Sequence, residues 1–205
     1  DEMSSRGLGD VYKRQASTLV LPQLRKLIEI PIVGVVPAIK PAALQSVSKV
    51  IGLLATPGTI RRDYTDALIG DFAQGCEIIR VGSPELVQIV EQKMAGAEIP
   101  PQVFVDVLAP FRNHPQWLAM DTIVLACTHF PLIEPELRAA APEINYWVDS
   151  GAAIARRVKQ LIDEHRVTQL KPRQADIALV SSLPALSPAL QANFKRFGFA
   201  EILSW

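Results

Sequence analysis

Apolar runs of strand length alternate with helix-like segments along this chain of 205 residues. The run at 122–126 is uncharged and rich in β-branched residues, which is typical of a strand buried on both faces of a parallel sheet. Because strands and helices alternate, we expect an α/β fold of parallel sheets flanked by helices. The predicted strands lie at 32–36, 50–55, 77–82, 122–126, 145–148, 176–181 and 199–203. The predicted helices lie at 41–49, 59–72, 84–95, 102–111, 135–141, 151–165 and 187–197.

The composition and the net charge of the chain argue against several classes of protein. Basic and acidic residues both number 21, so the broad positive surface of a protein that binds nucleic acid or an anionic membrane is absent. No apolar stretch approaches the ~18 residues of a membrane span. The two cysteines, Cys76 and Cys127, exclude a disulfide scaffold and fit a reducing compartment, so we expect a cytoplasmic protein.

Two hydroxyl groups follow one predicted strand, in the segment 55–59 that reads Ala-Thr-Pro-Gly-Thr. Thr56 and Thr59 flank a Pro-Gly turn, and the backbone N–H groups that come next open a helix. Such a strand end can hold a carboxylate or a phosphate through hydrogen bonds and the helix dipole. The local pattern fits Thr59 as a simple N-cap of the following helix equally well.

A thiol and an imidazole follow another predicted strand, in the segment 125–131 that reads Leu-Ala-Cys-Thr-His-Phe-Pro. Cys127 ends the strand, Thr128 adds a hydroxyl, and His129 adds the imidazole. A cysteine beside an imidazole can form a thiolate, which acts as a nucleophile or as a general base. The pattern fits Cys127 as a small core residue equally well. One Cys-x-His without a second ligand pair does not predict a metal site.

From Cys127 onward, the residues Cys-Thr-His-Phe-Pro-Leu resemble the glutamate racemases of the aspartate/glutamate racemase superfamily, and among them the proteobacterial subgroup. Ser83 stands where that family has a cysteine, and the resemblance covers about residues 16–205. The further segments that carry it are Ala-Ser-Thr-Leu at 16–19, PIVGVVPAIKP at 31–41, GLLATPGTIR at 52–61, SPELVQIVE at 83–91 and DSGAAIARR at 149–157.

The resemblance implies two similar α/β lobes with the active site between them. It also implies interconversion of L- and D-glutamate without cofactor or metal, an isomerase reaction that supplies D-glutamate for peptidoglycan and hence for cell-wall biogenesis and cell shape. In this family one cysteine from each lobe takes part: one thiolate removes the Cα proton, and the opposite thiol reprotonates the other face. Such a step needs a base that is held in line with the C–H bond.

The family's functional residues carry over to matching positions of this chain. Cys127 would be the acid/base group of the second lobe, His129 would tune it, and Glu91 would orient His129. From the residues alone, Glu91 fits a solvated helix carboxylate equally well. The implied catalytic residues are Cys127, His129 and Glu91, and the implied substrate-binding residues are Thr56, Thr59, Thr128 and His129.

The N-terminal segment departs from the family pattern. The first cysteine should stand at Lys13, and its following Asn and Thr are Arg14 and Gln15 here. We therefore expect an incomplete first lobe. The expected organisation is an unmatched head at 1–15 that is disordered or foreign to the domain, a first-lobe remnant at 16–36 and 148–205, and a second lobe at 37–147.

The remaining cysteine does not replace the missing one. Cys76 precedes the strand at 77–82 and should lie at the amino end of the sheet, so we expect this chain to be inactive alone. The alternatives are a non-catalytic binding or regulatory fragment and a related aspartate or hydantoin racemase. The expected partners are glutamate and, as in activated proteobacterial members, a UDP-muramoyl-alanine precursor. Neither a membrane nor a nucleic acid is expected, and a homodimer stays open.

Overall fold

The computed structural model describes residues 21–60, 63–164, 175–181 and 186–204, in which strands alternate with helices. The strands are β1 (Val50–Ala55), β2 (Glu77–Gly82), β3 (Thr122–Leu125), β4 (Tyr146–Val148), β5 (Asp176–Val180) and β6 (Phe199–Ser204). The helices are α1 (Leu21–Leu27), α2 (Ile39–Gln45), α3 (Pro57–Ile60), α4 (Asp63–Phe72), α5 (Leu86–Met94), α6 (Pro101–Arg112), α7 (Glu134–Ala140), α8 (Gly151–Glu164) and α9 (Pro188–Arg196). Single 3₁₀ turns lie at Trp117–Ala119 and Phe130–Ile133.

Strands β1 to β4 form one parallel sheet in the order β2-β1-β3-β4. Strand β1 pairs with β2 along its whole length and with β3 from Ile51 to Leu54. Strands β5 and β6 form a second, two-stranded parallel sheet. The predicted α/β class with parallel sheets is confirmed.

Helices cover both faces of the larger sheet. All six residues of β1 are buried, and its side chains alternate between two cores. Ile51 and Leu53 pack in the core that contains α2, whereas Leu54 packs in the core that contains Phe111 of α6. A Cβ at Gly52 would lie 2.9 Å from Cε1 of Phe111, so α6 approaches the strand closely only because this position is glycine.

At the amino edge of this sheet, Asp121 fastens the loop between α2 and β1 to β3. Its Oδ1 accepts hydrogen bonds from Ser46 Oγ and Thr122 Oγ1, both at 2.7 Å. Its Oδ2 accepts from the backbone N–H groups of Val47 at 2.7 Å and Ser48 at 2.8 Å. Burial would raise the pKa of this carboxyl group, but the four hydrogen bonds favour the ionised form and lower its pKa to about 2.

The segment 32–36 is not a strand, and this prediction is wrong. No described strand lies beside it, and the prolines on both sides of it lack a backbone N–H that a ladder would need. Two of its carbonyl groups accept hydrogen bonds from side chains instead. The carbonyl of Ile32 accepts from Arg25 Nη2 at 2.9 Å, and that of Val36 accepts from Ser150 Oγ.

Most other predicted elements are confirmed to within one or two residues, and the ends of β1 and β2 are as predicted. Helix α2 ends four residues early, at Gln45, because the next residues turn toward Asp121. Helix α1 was not predicted. The predictions at 1–15 and 16–19 lie outside the described residues. Within the described part of the chain, no helix is long and apolar enough to cross a membrane.

We expect Asp121→Asn to lower the free energy of unfolding and to flatten its dependence on acidic pH. The pKa of Asp121 is lowered by folding from 3.8 to about 2, so its contribution is complete above about pH 4 and is lost as the pH falls through about 2. This shift corresponds to about 2 kcal/mol. Urea denaturation at about pH 6 and about pH 2.5 measures the free energy of unfolding of both proteins. The difference between the wild type and Asp121→Asn should be smaller at the lower pH. An advantage of equal size at both pH values would contradict this role.

Candidate active site

The carboxyl ends of β1 and β3 lie side by side, and each strand continues into a loop that carries predicted site residues. The backbone N–H of Ala126 donates to the carbonyl of Leu54 at 2.8 Å, which extends the pairing to the end of both strands. Because the strands are parallel, Thr56 and Cys127 leave the same edge of the sheet. Ligands of open parallel sheets bind at this edge.

Cys127 lies beside a small cavity of about 250 Å³. Its side chain is 3% exposed. The segment 35–37, the start of α8 at 149–151 and Ile154 supply other parts of the lining. The volume is below the roughly 300–1,000 Å³ of pockets for drug-sized ligands, so the cavity suits a small molecule such as an amino acid.

A series of contacts connects Cys127 through His129 to Glu91 on α5. Sγ of Cys127 lies 3.9 Å from Nδ1 of His129, and Nε2 of His129 lies 3.0 Å from Oε1 of Glu91. A carboxylate only accepts, so Nε2 carries a proton, and Nδ1 of the neutral ring presents its lone pair to the thiol. The imidazole can therefore take the thiol proton, while the carboxylate stabilises the imidazolium that forms. Because the Glu91 side chain is 67% exposed, its hydrogen bond orients the ring more than it stabilises the fold.

Ser83 fixes the beginning of α5 at the same sheet edge. Its backbone N–H donates to the carbonyl of Ala55 at 3.0 Å, next to the end of β1. Its hydroxyl oxygen accepts from the backbone N–H of Leu86, the first residue of α5, at 3.2 Å. A buried hydroxyl is a good acceptor for such an orphan N–H group, so serine at this position serves the helix that carries Glu91.

The hydroxyl oxygens of Thr56 and Thr59 lie 3.1 Å apart and form one hydrogen-bonded pair. Thr59 is buried within α3, and its carbonyl accepts from Thr65 Oγ1 at 2.8 Å. Helix α3 spans Pro57–Ile60 and α4 spans Asp63–Phe72. The predicted helix over 59–72 thus begins two residues earlier than expected, at Pro57, whereas its continuity and the N-cap interpretation of Thr59 both depend on residues 61–62, which lie outside the described ones.

The cavity gathers only some of the predicted site residues. Cys127 and the exposed Thr128 line it, whereas the Thr56–Thr59 pair lies at the same sheet edge without being part of the lining. His129 reaches the cavity only through its contact with the thiol.

Sequence reasoning missed Asp149 and Ser150 as site residues. Both line the cavity beside Cys127, and the Asp149 carboxylate accepts from the backbone N–H of Gly151 at the start of α8. They directly follow β4, which pairs with β3 in parallel. The rule that placed Cys127 at the carboxyl edge would have found them as well.

Cys76 lies at the opposite edge of the sheet, as predicted. Glu77 pairs with Val50 at the first position of both strands, so Cys76 comes directly before the amino end of β2. The two cysteines of the sequence therefore lie at opposite edges of one sheet.

We expect His129→Gln to slow the alkylation of Cys127 by iodoacetamide, because the imidazole that can take the thiol proton is removed. The effect should be about tenfold, in keeping with the ~1.5 kcal/mol of a hydrogen bond to a charged group. Peptide-resolved mass spectrometry measures the rate at each cysteine, and Cys76 is the internal control. Equal slowing at both cysteines would contradict a specific role of His129.

The family model described as Asp/Glu/Hydantoin racemase matches residues 16–158. Glutamate racemase of Haemophilus ducreyi is 43% identical over 189 residues, which cover 91% of this chain and 70% of that protein. Glutamate racemase of Escherichia coli strain SE11 is 44% identical over 188 residues, which cover 90% of this chain and 64% of that protein.

A solved structure gives the same relationship. The crystal structure of Escherichia coli glutamate racemase in complex with L-glutamate and the activator UDP-MurNAc-Ala matches with a TM-score of 0.81 and 42% identity, over 92% of this chain and 70% of that one. This chain thus spans about two thirds of the length of the relatives that it matches. The chain belongs to the Asp/Glu/Hydantoin racemase family, and within that family it is similar to glutamate racemases.

Proposed function

We propose that this chain carries one half of the active site of a glutamate racemase, in which Cys127 is one of two acid/base groups. The observation that carries the proposal is the contact series from Cys127 through His129 to Glu91, beside a cavity of about 250 Å³ at the carboxyl edge of the sheet. The identity of 43–44% with glutamate racemases supports this substrate over the aspartate or hydantoin of other family members. The setting we propose is the cytoplasm, where D-glutamate would be made for peptidoglycan.

The proposed chemistry is a proton transfer at Cα of glutamate. With its thiol proton on His129, the Cys127 thiolate takes the Cα proton and becomes a thiol again. In the reverse direction the Cys127 thiol returns a proton to Cα. Thr128 and the hydroxyl pair of Thr56 and Thr59 would bind the polar groups of the substrate. These roles rest on position at one sheet edge and on hydrogen-bonding capacity.

Inversion at Cα also needs a proton donor on the opposite face of the substrate. The sequence contains only one other cysteine, Cys76. It lies at the amino ends of the parallel strands, whereas Cys127 lies at their carboxyl ends, so the length of the strands separates the two thiols. A pair of facing thiols therefore cannot form from the two cysteines of one chain. The proposal accordingly assigns to this chain one half of a two-base site.

We propose that the two sheets belong to two lobes. The sheet β1–β4 lies within residues 50–148, close to the proposed second lobe at 37–147. The β5–β6 sheet would belong to the first lobe, which 16–36 and 148–205 would share. The supporting observation is that no hydrogen-bonded ladder joins the two sheets among the described strands.

We expect the isolated chain to convert L-glutamate to D-glutamate more slowly than a complete relative by at least about 10²-fold, because one general acid/base typically contributes ~10²–10⁴-fold. Exchange of the Cα hydrogen for deuterium with retained configuration needs only one base, so it should be the measurable activity. Chiral chromatography and mass spectrometry in heavy water measure both. Cys127→Ala should abolish the exchange, and the matched variant Cys76→Ala should preserve it.

Two outcomes would change this assignment. Racemisation at the rate of a complete relative, abolished by Cys127→Ala, would mean that the chain contains a second base. Glutamate binding without any Cα exchange would instead favour the alternative of a non-catalytic regulatory fragment.

We further propose that a larger cleft binds an activator of the UDP-muramoyl-alanine type, since the similar Escherichia coli structure contains UDP-MurNAc-Ala. The cleft has a volume of about 770 Å³, within the range for a nucleotide-sized ligand. Among its lining residues, Arg25, Lys40 and Arg157 are cationic and only Glu29 is anionic. Such an excess of positive charge suits a diphosphate.

The proposed activator cleft shares a wall with the cavity beside Cys127. The residues that line both are Val35, Val36, Pro37, Ser150 and Ile154. The hydrogen bond from Ser150 Oγ to the carbonyl of Val36 lies within this wall. A ligand in the cleft can thus bear directly on the segment that borders the thiol.

We expect the chain to bind UDP-MurNAc-Ala and the variants Lys40→Met and Arg157→Met each to weaken binding by about tenfold, because each removes a hydrogen bond to a charged group. Isothermal titration calorimetry measures the affinity. Lys159→Met on the same helix as Arg157 is the matched control, since Lys159 is exposed and does not line the cleft. An equal loss in the control would indicate only a general effect of charge.

A further inference from the structure

Helix α9 contacts the C-terminal end of α5, the helix that carries Glu91. Ser187 Oγ donates to the carbonyl of Ala95 at 2.8 Å, and Asn193 Nδ2 donates to the carbonyl of Met94 at 2.9 Å. The last carbonyl groups of a helix have no partner within the helix, so external donors at this place satisfy groups that otherwise need water. We call these two hydrogen bonds the α5–α9 clasp.

Gly96, which directly follows the C-terminal end of α5, permits this close contact with α9. Gly96 follows Ala95 with a φ of +103°, a conformation that favours glycine. A Cβ at Gly96 would also lie 2.7 Å from Cβ of Ala189 on α9. The Ser187 hydroxyl has a second role, because its oxygen accepts from the backbone N–H of Leu190 and so caps α9. The Ser187 hydroxyl group thus caps the first turn of α9 and also bonds to the carbonyl group that follows the last turn of α5.

The clasp lies one helical turn from Glu91, the residue that orients His129. The backbone N–H of Ala95 donates to the carbonyl of Glu91 at 2.9 Å, so the clasped residue bonds directly to the Glu91 peptide unit. The Glu91 side chain is largely exposed, so packing contributes little to its position, and the α5 backbone sets the region that its carboxylate can reach. Ser83 fixes the other end of α5, and Lys93 pairs with Glu136 on α7.

We propose that Ser187 and Asn193 are positioning residues, which act through α5 to hold the Glu91 carboxylate against His129. Through them the β5–β6 unit, to which α9 belongs, influences proton transfer at Cys127. The inference rests on the proposed function, because it takes the Glu91–His129 contact to serve the Cys127 thiol. It assigns a role to side chains that touch neither the cavity nor the thiol.

The test compares alkylation of Cys127 by iodoacetamide in matched variants of the full chain. Ser187→Asp keeps an acceptor for the N–H of Leu190 but removes the donor to α5. Asn193→Leu removes the other donor at similar size. The control is Gln191→Leu, since among the described residues the Gln191 side chain bonds within its own segment, to the carbonyl of Leu186 at 3.3 Å. Each variant is made with Glu91 present and in the Glu91→Gln background, which completes a double-mutant cycle.

We expect Ser187→Asp and Asn193→Leu to slow alkylation of Cys127 by about twofold to thirtyfold, the size of coupling that packed elements transmit. Neither should slow it further in the Glu91→Gln background. Cys76 should react at an unchanged rate throughout, and Gln191→Leu should match the wild type. Ser187→Thr, which keeps the hydroxyl, should restore the rate, and circular dichroism identifies any variant that does not fold.

Three results would overturn the proposal. Equal slowing with and without the Glu91 carboxylate would mean that the clasp acts by another route. Equal change at Cys76 would mean general loosening of the fold, and wild-type rates in the variants that fold would mean no coupling. Should Ser187→Asp not fold, Asn193→Leu alone completes the cycle. Failure of the proposed function has a separate signature, the absence of Cys127-dependent exchange at Cα of glutamate.

Discussion

The parallel pairing of β1 with β3 is the contact on which the rest of this structure depends. Every residue of β1 is buried, so helices must cover both faces and polar loops can leave only at the edges. Because the strands run in the same direction, Thr56 and Cys127 emerge together at one edge, while Asp121 anchors the other. The same geometry separates Cys76 from Cys127, and for that reason the proposed two-base chemistry needs a group beyond the two thiols of this chain.

The contact series from Cys127 through His129 to Glu91 consists of one contact that is local in sequence and one that is long-range. Cys127 and His129 are two residues apart and follow the same strand, so their proximity is local. Glu91 comes from α5, 38 positions before His129. The position of the carboxylate therefore depends on the position of α5. Ser83 holds the start of this helix, and contacts from α9 hold its end. Residues far from the thiol can in this way influence the orientation of the His129 imidazole.

The sequence predicts those parts of the molecule that local pattern determines. The strand-length segments at 50–55 and 77–82 specify strands with the observed ends, and Cys127 lies at the predicted carboxyl edge. The predicted start of the helix before β2 lies two residues late, because Pro57 can occupy a first helical position and periodicity alone does not mark it. The contact of α9 with α5 joins segments about 90 residues apart, and no local pattern encodes such docking.

The segment 32–36 shows why a wrong prediction can be informative. Its β-branched residues favour a strand, but its carbonyl groups bond to the side chains of Arg25 and Ser150. A strand inside a sheet would be held by a ladder along its whole length, whereas a segment held by a few side chains can shift when one contact changes. Val35 and Val36 of this segment also form part of the wall between the cleft of about 770 Å³ and the cavity beside Cys127. Sequence pattern and structure thus disagree at the place where, under the proposed function, a ligand on one side would be felt by the thiol on the other.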